Sequence, residues 1–184
     1  VPSGKYYLSD TLNIERQIRL IGADSPDGNA IGSTQMVFAD GKNGIEVHEY
    51  RTSSSGKGAD GTEIKDLYLP RKNSVSTSGH GIYLHAEARL RSCLINGFAE
   101  DGIHIEATSG SSPNGNVNRW QIDSCRSMNN AANGLYVNGA DVNAGVAIRL
   151  DCSGNTEWGV FDSSFLGNTY VGCHTASNGA GAYK

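Results

Sequence analysis

Apolar and polar residues alternate with a period of two in short segments along the whole chain, and a glycine precedes each segment. The recurring unit is a turn residue followed by Gly-apolar-x-apolar. It occurs at residues 43–47, 80–84, 101–105 and 133–137 and, more weakly, at 158–162 and 180–183. A period of two is that of a β-strand with one buried face, and glycine adopts the turn conformations that precede such a strand. No segment has a convincing helical period, so the pattern predicts an all-β chain.

A second strand pattern lies between successive glycine units. Its copies are at 63–69, 88–93, 120–125, 147–152 and 169–173, and further short strands are predicted at 5–8, 18–21 and 36–39. The steps between the repeated glycines are 37, 21, 32, 25 and 22 residues. A β repeat of this length, with variable loops at one point, predicts a parallel β-helix. Propeller blades need about 40 residues or more, and a sandwich does not keep one motif in phase.

The predicted architecture is a single β-helix domain over residues 1–184, with about six to seven coils. Residues 1–42 form the opening coils and residues 43–184 the repeated coils. The chain starts without methionine and stops inside a predicted strand. We therefore expect it to be a fragment of a longer helix, open at its C-terminal end.

Composition narrows the function classes. The chain contains 15 Lys+Arg and 19 Asp+Glu, a net charge of −4, whereas a nucleic-acid binder would show a basic excess on one face. No apolar run approaches the roughly 18 residues of a membrane span. Glycine is abundant, with 24 residues, and proline is rare, with 4, which is typical of many tight turns. We therefore expect no nucleic-acid partner and no membrane insertion.

The opening of the chain resembles a known family. Residues 2–9 (PSGKYYLS), followed by residues 18–22 (IRLIG), are similar to the first coil of the pectate-lyase-like right-handed β-helices. The similarity is greatest to those of phage tailspikes and related polysaccharide-degrading enzymes. The resemblance implies a right-handed helix, a polysaccharide partner, a homotrimer, and a location outside the cell or on the virion tail. It implies no dissociable cofactor.

The cysteines are predicted to lie at the end of the second strand, one in each of four coils: Cys93, Cys125, Cys152 and Cys173. Adjacent coils are about 4.8 Å apart, so the thiols are expected to stack in one column of small buried residues. A disulfide between neighbouring coils is an alternative. In a register shifted by one residue, Ser92 and Ser124 would face inward instead. The column is linear and has no C-x-x-C pair, which disfavours a zinc site.

The outward-pointing residues of the glycine-unit strands align in two columns when the coils stack. The first comprises Glu46, Tyr83, His104, Tyr136, Phe161 and Tyr183, and the second comprises His48, His85, Glu106, Asn138 and Ser163. Long loops at 49–62, 107–118 and 139–145 follow the same strand and would wall a groove. Aromatic rings stack on sugars, and carboxylates and imidazoles bind hydroxyls or move protons. The predicted substrate-binding residues are Glu46, His48, Tyr83, His104, Tyr136 and Asn138. An ordinary solvated sheet face is the alternative interpretation.

Two carboxylate–histidine pairs are the predicted catalytic residues, His85 with Glu106 and His80 with Asp101. Each pair is expected about 5 Å apart on neighbouring coils. Such a pair can abstract a proton in a lyase or epimerase, or it can be hydrogen-bonded scaffolding. A glycoside hydrolase needs two carboxylates about 5–5.5 Å or about 6.5–9.5 Å apart, whereas Asp101 and Glu106 are expected about 16 Å apart along one strand.

Two short motifs, 79–82 (GHGI) and 100–103 (EDGI), resemble the histidine and aspartate motifs of polygalacturonases. Their order is reversed, the paired-aspartate element is missing and no Arg-x-Lys follows, which disfavours pectin hydrolysis. A calcium-dependent pectate lyase needs clustered carboxylates. Asp66, Asp123 and Asp151 instead alternate with Arg91 and Arg149, as in cross-coil ion pairs. No metal site is predicted.

These observations predict a carbohydrate-directed β-helix that binds an extracellular polysaccharide, with cleavage by lyase- or hydrolase-like chemistry left open. The alternative function is a non-catalytic structural shaft or adhesin. An enzyme would lose cleavage on Glu106→Gln or Asp101→Asn while still binding, whereas a shaft has no activity to lose.

Overall fold

Twenty short β-strands make up the regular structure of the described residues, which are 1–24, 32–48, 58–70, 77–107 and 116–184 in this computed structural model. The first of three sheets consists of β1 (Gly4–Leu8), β4 (Thr34–Phe38), β7 (Leu67–Pro70), β10 (Leu94–Asn96), β13 (Arg126–Met128), β16 (Asp151–Ser153) and β19 (His174–Ala176). The second consists of β2 (Leu12–Ile14), β5 (Ile45–Val47), β8 (Ile82–Leu84), β11 (Ile103–Glu106), β14 (Leu135–Gly139), β17 (Trp158–Ser164) and β20 (Gly181–Tyr183). The third consists of β3 (Arg19–Ile21), β6 (Thr62–Lys65), β9 (Ala88–Arg91), β12 (Gln121–Asp123), β15 (Val146–Ile148) and β18 (Thr169–Val171).

Successive strands pass from the first sheet to the second and the third, and the chain then returns to the first sheet one coil further on. Neighbouring strands in each sheet are parallel, as β11 is to both β8 and β14. The fold is a right-handed parallel β-helix whose described residues form six complete coils and two strands of a seventh. The predicted all-β solenoid is confirmed. Among these residues there is no helix that could span a membrane.

Inward-facing residues stack on their equivalents in the next coil and form the core. In the second sheet the stack consists of Ile45, Ile82, Ile103, Leu135 and Val160, each at most 1% exposed. Burial of one such aliphatic side chain stabilises the fold by about 1.5–3 kcal/mol. The alternation in the sequence therefore marks the residues that enter the helix interior.

Glycine is required before the second-sheet strands because the coils approach each other closely there. A Cβ on Gly81 would lie 2.4 Å from the carbonyl oxygen of Gly102 and 2.3 Å from Cγ2 of Ile95. A Cβ on Gly44 would lie 2.3 Å from the carbonyl oxygen of Gly81. A side chain at either position would force neighbouring coils apart, which explains why the glycine recurs once per coil.

The turn from the third sheet to the first centres on one residue in the left-handed conformation. The residues in this role have φ between 49° and 60° and are Asp66, Ser92, Ser124, Arg149 and Gly172. The residue that follows each of them faces inward, and Cys93 and Cys125 are at most 1% exposed. Ser92 and Ser124 therefore lie at the turns, and the alternative register in which they face inward is wrong.

The predicted single column of cysteines is wrong at Cys152. Cys152 pairs with Ser127, and Leu150 takes the position in line with Cys125 because the turn residue that precedes this coil is Arg149. All four cysteines are free thiols. Burial raises the pKa of Cys125 and of Cys152 well above the ordinary value, so both are packing residues with little nucleophilic character.

A ladder of asparagines joins the turns between the first and second sheets. Nδ2 of Asn130 donates to Oδ1 of Asn155 at 2.9 Å, and Nδ2 of Asn155 donates to Oδ1 of Asn178 at 2.9 Å. The same oxygens accept from the backbone N–H groups of Asn130 and Asn155 at 3.0 Å. Each amide thus satisfies the backbone of a neighbouring coil.

Charged residues on the outer face of the third sheet alternate in sign, as predicted. Arg19 contacts Glu63 at 2.7 Å, Arg149 contacts Asp123 at 2.7 Å, and Arg91 lies 3.9 Å from both carboxylates. The two other aspartates considered for calcium also have cationic or imidazole neighbours: Asp66 contacts Lys65, and Asp151 contacts Arg126 and His174. These carboxylates do not converge on one point, as Ca²⁺ would require.

Candidate active site

The outer face of the second sheet carries the first predicted column in register. The paired residues are Glu46, Tyr83, His104, Tyr136 and Phe161, in that order. From Tyr83 to Phe161, the centroids of neighbouring rings are 4.7–5.0 Å apart. The prediction of one continuous row of side chains is confirmed over these residues.

Tyr183 does not continue this row. It lies one residue out of register, and Lys184 takes the outward position, with Nζ 4.5 Å from the ring centroid of Phe161. In this register Gly181 pairs with Trp158, and a Cβ at Gly181 would lie 2.6 Å from the indole ring. The position opposite the indole therefore requires a glycine.

The second predicted column occupies the same face. Glu106 pairs with Asn138, and Asn138 pairs with Ser163. Nδ2 of Asn138 donates to Oε1 of Glu106 at 3.0 Å. Nearer the N-terminus, the rings of His48 and His85 stack with their centroids 5.9 Å apart. The two columns together form a polar and aromatic strip along the helix.

The predicted pairing of His85 with Glu106 is replaced by other contacts. Nε2 of His85 lies 3.4 Å from Oε1 of Glu46. Glu106 instead accepts hydrogen bonds from the hydroxyl of Tyr83 and the amide of Asn138. Strand register brings backbones together, but each carboxylate turns toward the donors that reach it.

Glu46 is the centre of a polar cluster at the N-terminal end of the strip. Asn43 donates to its Oε2 at 3.0 Å, and Nε2 of His48 lies 3.6 Å from its Oε1 and 2.9 Å from Oδ1 of Asn13. Hydrogen bonding with His85 is the largest reason why the pKa of Glu46 lies below its ordinary value, although burial acts in the opposite direction. Nδ1 of His85 is buried and has no hydrogen-bond partner among the described residues.

Asp101 is the centre of the second cluster and is only 4% exposed. Its Oδ1 accepts from the backbone N–H of Asn133 at 3.0 Å and from Nδ2 of Asn133 at 2.7 Å. Its Oδ2 accepts from Nδ1 of His104 at 2.7 Å and lies 3.4 Å from Nδ1 of His80, so the expected proximity of His80 and Asp101 is present. Burial raises the pKa of Asp101, but the hydrogen bonds from His104 and Asn133 and the proximity of His80 outweigh it and hold the pKa well below its ordinary value.

Nδ1 of His104 is hydrogen-bonded to Asp101, whereas its Nε2 has no hydrogen-bond partner among the described residues. Nδ1–H of His104 donates to Oδ2 of Asp101, which leaves a lone pair on Nε2 of the neutral ring. Nε2 is buried, has no hydrogen-bond partner among the described residues, and lies 3.9 Å from Oε2 of Glu106. An oriented imidazole with a free lone pair is the usual form of a general base.

Tyr83 lies between the two clusters. Its ring centroid is 4.0 Å from that of His85 and 4.7 Å from that of His104, and its hydroxyl donates to Oε2 of Glu106. Burial and this hydrogen bond raise the pKa of Tyr83 well above its ordinary value. The phenol therefore stays protonated and is a candidate proton donor beside the candidate base.

The turn residues before the repeated glycines form a third row that the sequence analysis missed. Oδ1 of Asn43 accepts from the backbone N–H of His80 at 2.9 Å, and Nδ1 of His80 accepts from that of Asp101 at 3.2 Å. The row continues when Oδ1 of Asn133 accepts from the backbone N–H of Trp158 at 3.1 Å. The signal was present, because these residues occupy the same position of the repeat.

The carboxylates of Asp101 and Glu106 are closer than predicted. One imidazole, that of His104, bridges them through contacts of 2.7 Å and 3.9 Å, so their facing oxygens are at most about 9 Å apart. The sequence estimate was wrong because Asp101 precedes β11 and its side chain folds back toward that strand. Both oxygens of Asp101 are nonetheless engaged by Asn133 and His104, which leaves neither available to activate a water.

Two further features bear on ligands. Tyr136 and Phe161 have centroids 4.7 Å apart and ring planes 31° apart, a surface suited to the apolar face of a sugar. Among the described residues, three side chains lie close enough together to hold one metal ion. They are His80, Asp101 and His104, and their ligand atoms lie within 4.8 Å of one another.

Most of the predicted loops 49–62 and 107–118 lies outside the described residues, whereas the loop 139–145 is described.

Comparison with known proteins establishes the fold. The structure is similar to the crystal structure of pectate lyase Pel9A, with a TM-score of 0.54, 13% sequence identity and 86% of this chain covered. The chain spans about half the length of that protein, 48% of which is covered. The similarity confirms the pectate-lyase-like β-helix architecture expected from the opening coil. No family model matches the chain, and no curated protein matches its sequence.

Proposed function

We propose that the outer face of the second sheet binds an extracellular polysaccharide and cleaves it as a lyase. The observation that carries this proposal is the unpaired Nε2 of His104, buried beside the hydrogen bond between Tyr83 and Glu106. Asp101 holds the opposite nitrogen of the same ring. Once a ligand uncovers Nε2, which is buried in its absence, His104 can take a proton from that ligand while Tyr83 gives one.

The reaction proposed is β-elimination in a polymer that contains uronate residues. His104 removes the proton at C5, which is acidic because it lies next to the carboxylate. The electron pair of the C5–H bond forms the C4=C5 double bond, and the C4–O bond to the leaving sugar breaks. The Tyr83 hydroxyl turns its hydrogen from Glu106 to the leaving oxygen and donates it. His104 then releases the C5 proton to solvent, and Tyr83 takes up a proton from solvent. Before the ligand binds, Glu106 accepts the Tyr83 hydrogen bond and so positions the phenol beside His104.

A lyase is favoured over a hydrolase by the state of Asp101. An inverting hydrolase needs two carboxylates that face a water and the glycosidic oxygen from opposite sides. Asp101 is buried and bonded at both oxygens, so it cannot act as the second carboxylate beside Glu106. An extracellular or virion-tail location and a homotrimeric assembly belong to this proposal, and their support is the resemblance of residues 2–9 and 18–22 to the opening coil of tailspikes.

The first test is a screen of polysaccharides that follows new reducing ends together with the absorbance of the unsaturated uronate product. Reducing ends with that absorbance are expected. Reducing ends alone would indicate a hydrolase and contradict the proposed chemistry. Silence across uronate-containing and neutral polymers would favour the non-catalytic shaft or adhesin.

Variants then separate chemistry from binding. His104→Gln and Tyr83→Phe are expected to lower kcat by about 10²–10⁴-fold while glycan binding persists. His174→Gln is the matched control because this exposed histidine lies on β19 in the first sheet. Equal cleavage by the His104 and His174 variants would contradict the proposed role of His104.

A further inference from the structure

The second cluster, around Asp101, has the donor atoms of a metal site. His80, Asp101 and His104 each offer one ligand atom, and these atoms lie within 4.8 Å of one another. Two imidazoles and one carboxylate suit Zn²⁺ and related first-row transition metals, whereas Ca²⁺ takes oxygen ligands. We propose that these three residues bind a transition-metal dication of the Zn²⁺ class, a role beyond the acid–base function proposed for the same face.

Two of the donor atoms face each other without a proton between them. Nδ1 of His80 accepts from the backbone N–H of Asp101 at 3.2 Å, so it carries a lone pair. It lies 3.4 Å from Oδ2 of Asp101, which is also an electron-pair donor. Two ligands of a tetrahedral Zn²⁺ with bonds of about 2.0–2.2 Å are separated by about 3.4 Å. A metal ion between these two atoms would replace their repulsion with two metal–ligand bonds. The hydrogen bond that His80 would give up is the one from the Asp101 N–H, which at 3.2 Å is long.

The third ligand and the outer contacts follow from the tautomers. Nδ1 of His104 lies 2.7 Å from the same Oδ2, and a metal replaces the proton between them. The ring then carries its proton on Nε2, which faces Oε2 of Glu106 at 3.9 Å and otherwise has no partner among the described residues. Nε2 of His80 likewise lies 3.6 Å from Oε2 of Glu100. Metal-bound imidazoles commonly donate their other N–H to a carboxylate in this way.

The surrounding charge also favours a cation. The carboxylates of Glu46, Glu100, Asp101 and Glu106 lie along this face, and the ion-pair partners they have among the described residues are histidines. Neutral imidazoles leave this negative charge uncompensated. Asn133 fixes the second oxygen of Asp101 and so orients the first toward the proposed metal.

The proposed site overlaps the acid–base residues. When a metal binds Nδ1 of His104, the neutral ring carries its proton on Nε2, so the lone pair needed for proton abstraction is no longer there. Zn²⁺ is therefore expected to inhibit cleavage and a chelator to restore it. This inhibition rests on the proposed lyase function, whereas metal binding itself does not.

The test is calorimetric titration of ZnCl₂ into chelator-treated protein, with the visible absorption of bound Co²⁺ as a second readout. The wild type is expected to bind one Zn²⁺ per chain. Asp101→Asn, His80→Gln and His104→Gln are expected to weaken binding at least 100-fold, and Glu100→Gln by about 10–100-fold. His85→Gln is the matched control, since this histidine lies on the same face outside the three ligands, and it should keep the wild-type affinity.

The inference is overturned if the wild type shows no saturable Zn²⁺ binding below about 1 mM, or if His80→Gln and His104→Gln bind as tightly as His85→Gln. Circular dichroism melts verify that each variant is folded, and the more exposed His80 decides the question where the Asp101 variant does not fold. Zn²⁺ binding without cleavage of any polysaccharide would leave the metal site standing and contradict the lyase. Cleavage without Zn²⁺ binding would do the reverse.

Discussion

Nδ1 of His104 and Oδ2 of Asp101 lie 2.7 Å apart, and this hydrogen bond determines which imidazole nitrogen is free. Because the carboxylate accepts at Nδ1, the neutral ring presents its lone pair at Nε2. Asn133, one coil further on, holds Asp101 through its backbone N–H and its side-chain amide. Two neighbouring coils thus set the orientation of the candidate base.

Asp101→Asn tests this orientation. The new side chain can still accept from Asn133 through its oxygen, but its NH₂ group then faces Nδ1 of His104. Nδ1 must accept that hydrogen bond, so the proton moves to Nε2 and the base is lost. The kcat of Asp101→Asn is expected to be about 10²–10⁴-fold lower than that of the wild type, with little change in KM.

The control for this variant is Asp151→Asn. Oδ1 of Asp151 lies 3.1 Å from Nδ1 of His174, a similar pair on the first sheet. Steady-state kinetics on a cleaved polysaccharide should show full activity for the control. A kcat within threefold of wild type for Asp101→Asn, with the melting temperature unchanged, would contradict the orienting role.

Tyr136 and Phe161 are expected to bind substrate by stacking. Their rings continue the row that starts at His104, and Lys184 lies over the outer ring. Tyr136→Ala and Phe161→Ala should each raise Kd or KM about tenfold, which corresponds to about 1.4 kcal/mol, with kcat nearly unchanged. Tyr7→Ala is the control, because Tyr7 is 67% exposed and lies on β1 in the first sheet. Equal glycan affinity in all three variants would argue against the stacking surface.

The coil order could be predicted because its causes are visible in single residues. Gly81 and Gly102 recur for a steric reason, and the buried alternation around Ile82 and Ile103 identifies the strands. Register at the turns was harder to predict. The left-handed turn residue between the fifth and sixth coils is Arg149, a residue type that does not signal this conformation, and the position of Cys152 was therefore misjudged.

The sequence predicted which residues line the candidate site better than it predicted which of their side chains contact each other. Stacking of outward positions gave the row through Tyr83 and His104, because strand register alone fixes it. The partner of His85 depends on side-chain rotation, and Glu46 reaches it while Glu106 turns to Tyr83. No strand rule describes that choice, since it follows from which donors each carboxylate can reach.

Gly145 is expected to be indispensable for packing. A Cβ there would lie 2.0 Å from Cε2 and 2.3 Å from Nε1 of Trp120, which is fully buried. Gly145→Ala should lower the free energy of unfolding by about 3 kcal/mol or more, as measured in urea. Gly167→Ala is the control, since nothing lies within 4 Å of its Cβ position and only its φ of +82° opposes a side chain, at a cost of about 1 kcal/mol. Equal destabilisation by the two changes would show that Trp120 moves aside without loss.

Asp162 is expected to make the stability of the C-terminal coils depend on pH. Burial raises its pKa, but hydrogen bonds from Ser164, Asn168 and Tyr170 outweigh burial and hold the pKa below its ordinary value. The donors are the backbone N–H of Ser164 at 3.0 Å, Nδ2 of Asn168 at 3.0 Å and the hydroxyl of Tyr170 at 2.8 Å. Because the folded pKa is lower than the unfolded value of about 3.9, the ionised group contributes stability that is complete above that value. This stability is lost as the pH falls through the folded pKa.

The measurement is the free energy of unfolding of the wild type and of Asp162→Asn in urea between pH 7 and pH 2.5. The wild type should exceed the variant by a constant amount from pH 7 to about pH 5, and the difference should shrink below about pH 4. Asp141→Asn gives the baseline, because Asp141 is exposed and its side chain has no hydrogen bond among the described residues. A difference for Asp162 that stays constant down to pH 2.5, parallel to that baseline, would mean that its hydrogen bonds do not favour the ionised form. In that case the three donors serve only to shape the turn after β17.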